Sequence, residues 1–160
     1  MSATGTLPRS IDEIEVRGAL TSAGEISIAA PIDVVWHVLT TFADWPDWNS
    51  LVRSISVLGG PTEGTVLRWK AGPSTITAKI LRVEAPCAIA WSGNTIGIKA
   101  VHVWRLRSSG DDTFVRTEES FDGVVARVFR RVVQRGLDDG LERGLADLKG
   151  EAERRATRTA

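Results

Sequence analysis

His102 and Glu119 are the two residues of this chain whose types and spacing point most directly to chemistry. They lie in Ala100-Val-His-Val-Trp-Arg-Leu-Arg107 and Thr113-Phe-Val-Arg-Thr-Glu-Glu-Ser-Phe121, two alternating runs separated by Ser108-Ser-Gly-Asp-Asp112. In the first run Arg105 and Arg107 belong in water, so a period of two sends Ala100, His102, Trp104 and Leu106 to the opposite face. In the second, Arg116 and Glu118 face out, and Val115, Thr117, Glu119 and Phe121 share the inner face. A hairpin closed by a four-residue loop, Ser109 to Asp112, pairs Leu106 with Val115, Trp104 with Thr117 and His102 with Glu119. Directly opposite Cβ atoms lie roughly 5 Å apart, close enough for an imidazole to meet a carboxyl group. A slip of one residue would move one partner to the other face.

Burying two ionisable groups costs several kcal/mol unless they are paired. One reading is a satisfied polar pair joining two strands. The other is a cavity in which His102 takes a proton next to a carbonyl, Glu119 orients the imidazole and supports its charged form, and Thr117 hydrogen-bonds an oxygen.

The elements around this hairpin are set by the same periodicities. Residues 1 to about 22 carry only Ile11, Ile14, Val16 and Leu20 as apolar points and read as an N-terminal extension, either loose or an added edge element. Glu25 to Ala29 alternates as a strand with Ile26 and Ile28 inward, and Pro31 opens a short helix to about Phe42 with Val35, Trp36 and Leu39 buried. Asp33 and His37 form a surface pair on that helix, and His37 reads as structural or exposed. A second helical turn, broken by Pro46, carries Trp45 and Trp48 to one end of the sheet, as a plug or as a gate. Strands follow at about 51–58, 64–70, 74–83 and 88–92, an antiparallel meander that ends in the hairpin. Outward Arg68, Lys70 and Lys79 place Leu67, Trp69, Ile76, Ala78 and Ile80 inside, with Ile89 and Trp91 on the next strand.

That aromatic face needs a cover. The segment from Val124 to about Ala152 supplies it as one amphipathic helix, with Val125, Val128, Phe129, Val132, Leu137, Leu141, Leu145 and Leu148 along one side. Gly136, Gly140 and Gly144 recur beside that stripe, each costing about 1 kcal/mol relative to alanine in a helix interior. They permit close approach of another backbone, a homodimer contact included, leave empty volume beneath the helix, or face solvent and simply soften it. Residues 154–160 read as a fraying tail, so the domain spans 23–153.

Composition narrows the function. Twenty basic and twenty acidic residues cancel, leaving no global field for nucleic acid. No apolar run approaches the ~20 residues of a membrane span, and the first ten residues lack the apolar core of a signal peptide, which points to the cytoplasm. With two histidines and the single Cys87, read as a small buried thiol, neither a metal site nor a disulfide is expected. No nucleotide-binding fingerprint appears, so no cofactor is expected.

Several segments, in order, resemble one family: Ile26-Ser-Ile-Ala-Ala-Pro31, Val35-Trp-His-Val-Leu39, Phe42-Ala-Asp-Trp-Pro-Asp-Trp-Asn49, Val83-Glu-Ala-Pro86 with Ile89-Ala-Trp-Ser-Gly93, and Thr117-Glu-Glu-Ser-Phe121. They are similar to the polyketide cyclase/dehydrase-like branch of the START-like, or SRPBCC, superfamily over about residues 22 to 150. The resemblance implies an α+β helix-grip fold, with a curved antiparallel sheet of about seven strands wrapped around a long C-terminal helix and two short helices after the first strand. It also implies a deep apolar cavity between sheet and helix. The expected lining is Leu67, Trp69, Ile80, Trp91, Trp104 and Phe121 from the sheet, Trp48 and Asn49 from the turn, and Phe129, Val132 and Leu137 from the helix. Fold analogy does not choose the activity. A cyclase or dehydratase acting on a hydrophobic carbonyl compound and a non-catalytic carrier or sensor of a lipid or aromatic metabolite both fit a hydrophobic small-molecule ligand.

Overall fold

The structure, a computed structural model, describes residues 8–159. Seven strands, β1 (Leu20–Ile28), β2 (Ser54–Val57), β3 (Val66–Ala71), β4 (Ser74–Glu84), β5 (Ala88–Thr95), β6 (Ile98–Ser109) and β7 (Asp112–Asp122), make one antiparallel sheet in the order β1-β7-β6-β5-β4-β3-β2. Between β1 and β2 come α1 (Ile32–Thr40) and the single turn α2 (Trp45–Trp48). After β7 come α3 (Val124–Val128) and the long α4 (Arg130–Thr159). This is the helix-grip arrangement: a curved sheet, a long terminal helix and short helices between the first two strands.

The β6–β7 register is the one that alternation dictates, with His102 opposite Glu119, Trp104 opposite Thr117 and Leu106 opposite Val115. The loop is tighter than expected. Ser109 pairs with Asp112, leaving Gly110 and Asp111 as a two-residue turn. Gly110 takes φ +63° and no other residue type in the described chain has a positive φ, as a turn with glycine at its first central position requires. Both loop lengths keep the same faces, because the strands lengthen by one residue on each side.

β1 begins at Leu20 instead of Glu25. Its first half, Thr21 to Gly24, shows no apolar alternation, yet the backbone pairs with Thr117 to Ser120 of β7. Gly24 permits close cover from above, since a Cβ there would stand 2.8 Å from Leu145 Cδ1. Ahead of β1, a short 3-10 turn (Ile11–Glu13) lays Ile11 on Ala88, Ala90 and Val103, with Ile14 and Val16 beside it. The residues before β1 thus cover part of the outer face of the sheet.

The inner face is as the pattern requires. Ile28, Leu67, Ala78, Ile80, Ile89, Trp91, Trp104 and Val115 are buried with Val35, Val38 and Leu39 of α1 and Leu145 and Leu148 of α4. Val38 takes the α1 position that Trp36, only partly buried, was expected to fill. His37 is exposed, and its Nδ1 lies 3.5 Å from Thr41 Oγ1, with no hydrogen bond or ion pair to Asp33. Cys87 is exposed as well, because it falls in the β4–β5 turn and not inside β5.

The covering segment is two helices. The chain breaks at Phe129 (φ −105°, ψ 37°), and α4 then runs helical through residues expected to fray. Leu137, Leu141, Leu145 and Leu148 are buried, whereas Val128, Phe129 and Val132 are exposed. The physical reason lies beneath the helix. Leu20, where β1 starts, already packs under Val133 and Leu137, so the preceding turn has no strand to cover.

Candidate active site

Between the sheet and α4 lies a cavity of about 250 Å³. Trp69, Trp91, Trp104 and Phe121 line it from the strands, with His102 and Glu119 between them. Trp48 and Asn49 line it from the end of α2, and Leu137 from α4. A smaller void of about 60 Å³ shares Trp69, Ile76, Trp91 and Glu119 with it.

Four expected lining residues lie elsewhere. Leu67 and Ile80 are fully buried in the hydrophobic cluster that also holds Val35, Val38 and Leu39 of α1 and Leu145 and Leu148 of α4, and so do not reach the cavity. Phe129 and Val132 stand outside, at the break before α4 and on its first turn. Leu39, Trp45, Leu51, Val52, Ala71, Ile76 and Leu141 line the cavity without having been expected to. Alternation could have found Ala71, which lies on the same face of β3 as Trp69. Leu39 and Leu141 lie on the helix faces that periodicity buries, whereas Trp45, Leu51 and Val52 come from the turn and loop after α1, where no period applies.

Gly136, Gly140 and Gly144 also line the cavity. A Cβ at Gly136 or Gly140 would meet no atom within 4 Å, and at Gly144 only Trp104 Cη2, at 3.9 Å. The glycines therefore hold volume open and do not seat a neighbouring backbone. By helix propensity alone the three sacrifice about 3 kcal/mol.

The imidazole of His102 is clamped. Its ring centroid lies 5.1 Å from those of Trp91 and Trp104 on either side. Nε2 lies 2.7 Å from Thr117 Oγ1, and that hydroxyl donates to Val103 O at 3.2 Å. With its one proton given to the carbonyl, the hydroxyl accepts from the ring, so Nε2 carries hydrogen and Nδ1 is left as a lone-pair base. Thr117 is fully buried and does not line the cavity, so it reaches the imidazole and not a ligand oxygen. Nδ1 faces Glu119 Oε1 at 3.6 Å. Loss of solvent raises the Glu119 carboxyl well above its ordinary range and lowers the imidazole well below its own. The resting pair is therefore a carboxylic acid beside a neutral imidazole, an acid and a base in one apolar wall.

The remaining polar atoms of the cavity are donors. Trp48 Nε1 and Trp104 Nε1 are buried without a hydrogen-bond partner, a cost of about 1–3 kcal/mol each. Asn49 Oδ1 accepts from the Leu51 amide at 3.0 Å, which leaves its NH2 group for the cavity. Trp45, by contrast, is satisfied: Nε1 donates to Leu39 O at 3.0 Å, and its ring meets Trp69 and Trp91 at centroid distances of 5.7 and 5.8 Å. Trp45 is thus the plug and Trp48 the free indole. The loop after α2 is fastened to α4, with the Ser50 amide and hydroxyl both donating to Asp147 Oδ2, at 2.8 and 2.7 Å.

No metal-binding group of histidine, cysteine or carboxylate side chains occurs among the described residues, and none of their helices is long and apolar enough to cross a membrane.

The family model described as "Polyketide cyclase / dehydrase and lipid transport" matches residues 19–153. Among curated proteins no sequence matches. Solved structures share the fold at low identity. The Zhui aromatase/cyclase from Streptomyces sp. R1128 is 20% identical, over 84% of this chain and 94% of that one, with a TM-score of 0.75. A START superfamily protein from Mycobacterium smegmatis is 13% identical, over 88% and 99%, with a TM-score of 0.65. Norcoclaurine synthase from Thalictrum flavum, solved with dopamine and hydroxybenzaldehyde, is 14% identical, over 88% and 87%, with a TM-score of 0.64.

Proposed function

The chain belongs to the polyketide cyclase/dehydrase and lipid transport family, and we propose that its cavity receives a small, largely apolar carbonyl compound and catalyses proton transfer next to the carbonyl, as a cyclase or dehydratase does. The observation that carries this reading is the placing of His102 Nδ1 3.6 Å from the Glu119 carboxyl in one apolar cavity wall, with Nε2 held 2.7 Å from Thr117 Oγ1.

His102 Nδ1 takes a proton from the carbon beside the carbonyl, and Glu119 gives its own proton to the developing oxyanion. The C–H bond breaks, an O–H bond forms, and the enol that results can attack a second carbonyl of the same folded molecule. The pair is then imidazolium beside carboxylate. One proton passing from Nδ1 to Glu119 restores both neutral groups. Trp91 and Trp104 hold the ring in line, Thr117 acts as a positioning residue through Nε2, and the tryptophan walls exclude water. Acid–base assistance of this kind contributes roughly 100- to 10,000-fold. The unpartnered indoles of Trp48 and Trp104 and the Asn49 amide favour ligands richer in acceptors than in donors.

A simple ketone tests the reading. In heavy water the protein should accelerate deuterium incorporation beside the carbonyl of 1-tetralone, and should bind 1-tetralone more tightly than tetralin, which lacks the oxygen. His102→Ala should abolish the exchange while tryptophan quenching still reports binding. Exchange at the buffer rate with the ketone demonstrably bound would sink the catalytic assignment and leave a carrier of hydrophobic metabolites.

A further inference from the structure

Val128, Phe129 and Val132 leave 66%, 58% and 73% of their surface in water, and Val124, at the start of α3, leaves 72%. Isolated apolar residues on a surface need no account, but four within nine residues at one helix break do. Arg127, Arg130, Arg131 and Arg135, all exposed, are interleaved with them along the chain. Arg127 is held by Asp122, with Nε 3.0 Å from Oδ1. Arg130, Arg131 and Arg135 make no ion pair or side-chain hydrogen bond with any described residue, whereas most other arginines of this electrically balanced chain do.

The patch continues into the cavity. Val132 precedes Gly136 by one turn on the same face of α4, and Gly136 is the one exposed residue of the cavity lining. The stripe Val132, Gly136, Gly140, Gly144 therefore leads from the outside to the tryptophan wall.

We propose that this face docks on an anionic lipid surface, with Val128, Phe129 and Val132 entering the headgroup boundary and the three free arginines meeting phosphate, so that an apolar ligand passes between bilayer and cavity at Gly136. A second copy of this chain fits less well, because a two-fold contact would set the arginine cluster against itself. An acidic protein satisfies the arginines but must also offer a socket for protruding valine and phenylalanine side chains. A bilayer with acidic lipids supplies both. The inference does not depend on whether His102 and Glu119 catalyse.

Flotation of the full chain with phosphatidylcholine vesicles, with and without phosphatidylglycerol, tests it. Three arginines near an anionic surface multiply partition on the order of a hundredfold. The protein should float with the anionic vesicles, weakly with the neutral ones, and be released by salt. Arg130→Glu/Arg131→Glu/Arg135→Glu should remove the anionic preference, and Val128→Ser/Phe129→Ser/Val132→Ser should lower partition at every salt concentration. Because these side chains are exposed, the far-ultraviolet spectrum should not change, and the salt titration reads the same contact without any substitution. Equal partition onto both vesicles, no flotation, or a serine variant that floats like the parent protein would overturn the proposal; the last would indicate purely ionic adsorption without entry of the apolar side chains, and a concentration-dependent dimer in the absence of flotation would indicate self-association.

Discussion

His102 Nε2 and Thr117 Oγ1 stand 2.7 Å apart, and the same hydroxyl is committed to Val103 O. One hydrogen bond thereby decides which ring nitrogen is the base. In the reverse tautomer Nε2 would face an oxygen with no free proton, leaving a buried polar pair unsatisfied at about 1–3 kcal/mol. Thr117→Val keeps the shape and removes the acceptor. The variant should bind 1-tetralone as before but exchange deuterium roughly tenfold or more slowly. Nitrogen NMR of the imidazole should change from a single Nε2–H form to a mixture. An unchanged tautomer in the variant would remove Thr117 from its positioning role.

Stability should carry the signature of the buried pair. Glu119 is pushed up from 4.5 to about 8 and His102 down from 6.5 to about 3, each by desolvation. Above pH 6.5 the unfolded chain has lost its Glu119 proton while the folded chain keeps it, so stability falls by about 1.4 kcal/mol per pH unit until about 8. Below pH 4.5 the unfolded chain has protonated His102 while the folded chain has not, and stability falls as pH drops towards about 3. Between the two ordinary values the opposing slopes cancel. Glu119→Gln should flatten the alkaline arm and, with the opposing slope gone, let stability rise with pH between 4.5 and 6.5, which urea unfolding between pH 4.5 and 9 would measure. Parallel curves for variant and parent would show that Glu119 ionises freely in the folded protein.

The pair was legible in the sequence because period-two alternation fixes faces and a hairpin fixes register; even a wrong loop length left His102 opposite Glu119. The glycine spacing on α4 was equally legible as a feature, and the structure decides among its three meanings. Helical periodicity failed at Phe129 and Val132. It reports which residues share a face, not how far the underlying sheet extends, and the sheet stops at Leu20. Trp45 and Trp48 are three residues apart in one turn, yet one is a satisfied plug and the other an orphaned donor. That difference arises from which carbonyl happens to lie near each indole, information that no spacing rule carries.

The glycines of α4 make the last prediction. A helix improves by up to about 1 kcal/mol for each interior glycine replaced by alanine, and at Gly136 and Gly140 the added Cβ touches nothing. Gly136→Ala and Gly140→Ala should therefore each raise the melting temperature by roughly 2–4 °C. Gly140→Leu extends a larger side chain into a cavity of about 250 Å³ and should weaken binding of 1-tetralone while the empty protein stays folded. Stabilised proteins that bind less are the pattern expected of residues kept small for a ligand. Calorimetry of the empty and ketone-loaded forms separates the two effects. Should both alanine variants melt lower than the parent, the volume beneath α4 would have to be filled by something other than ligand, and the glycines would be packing residues after all.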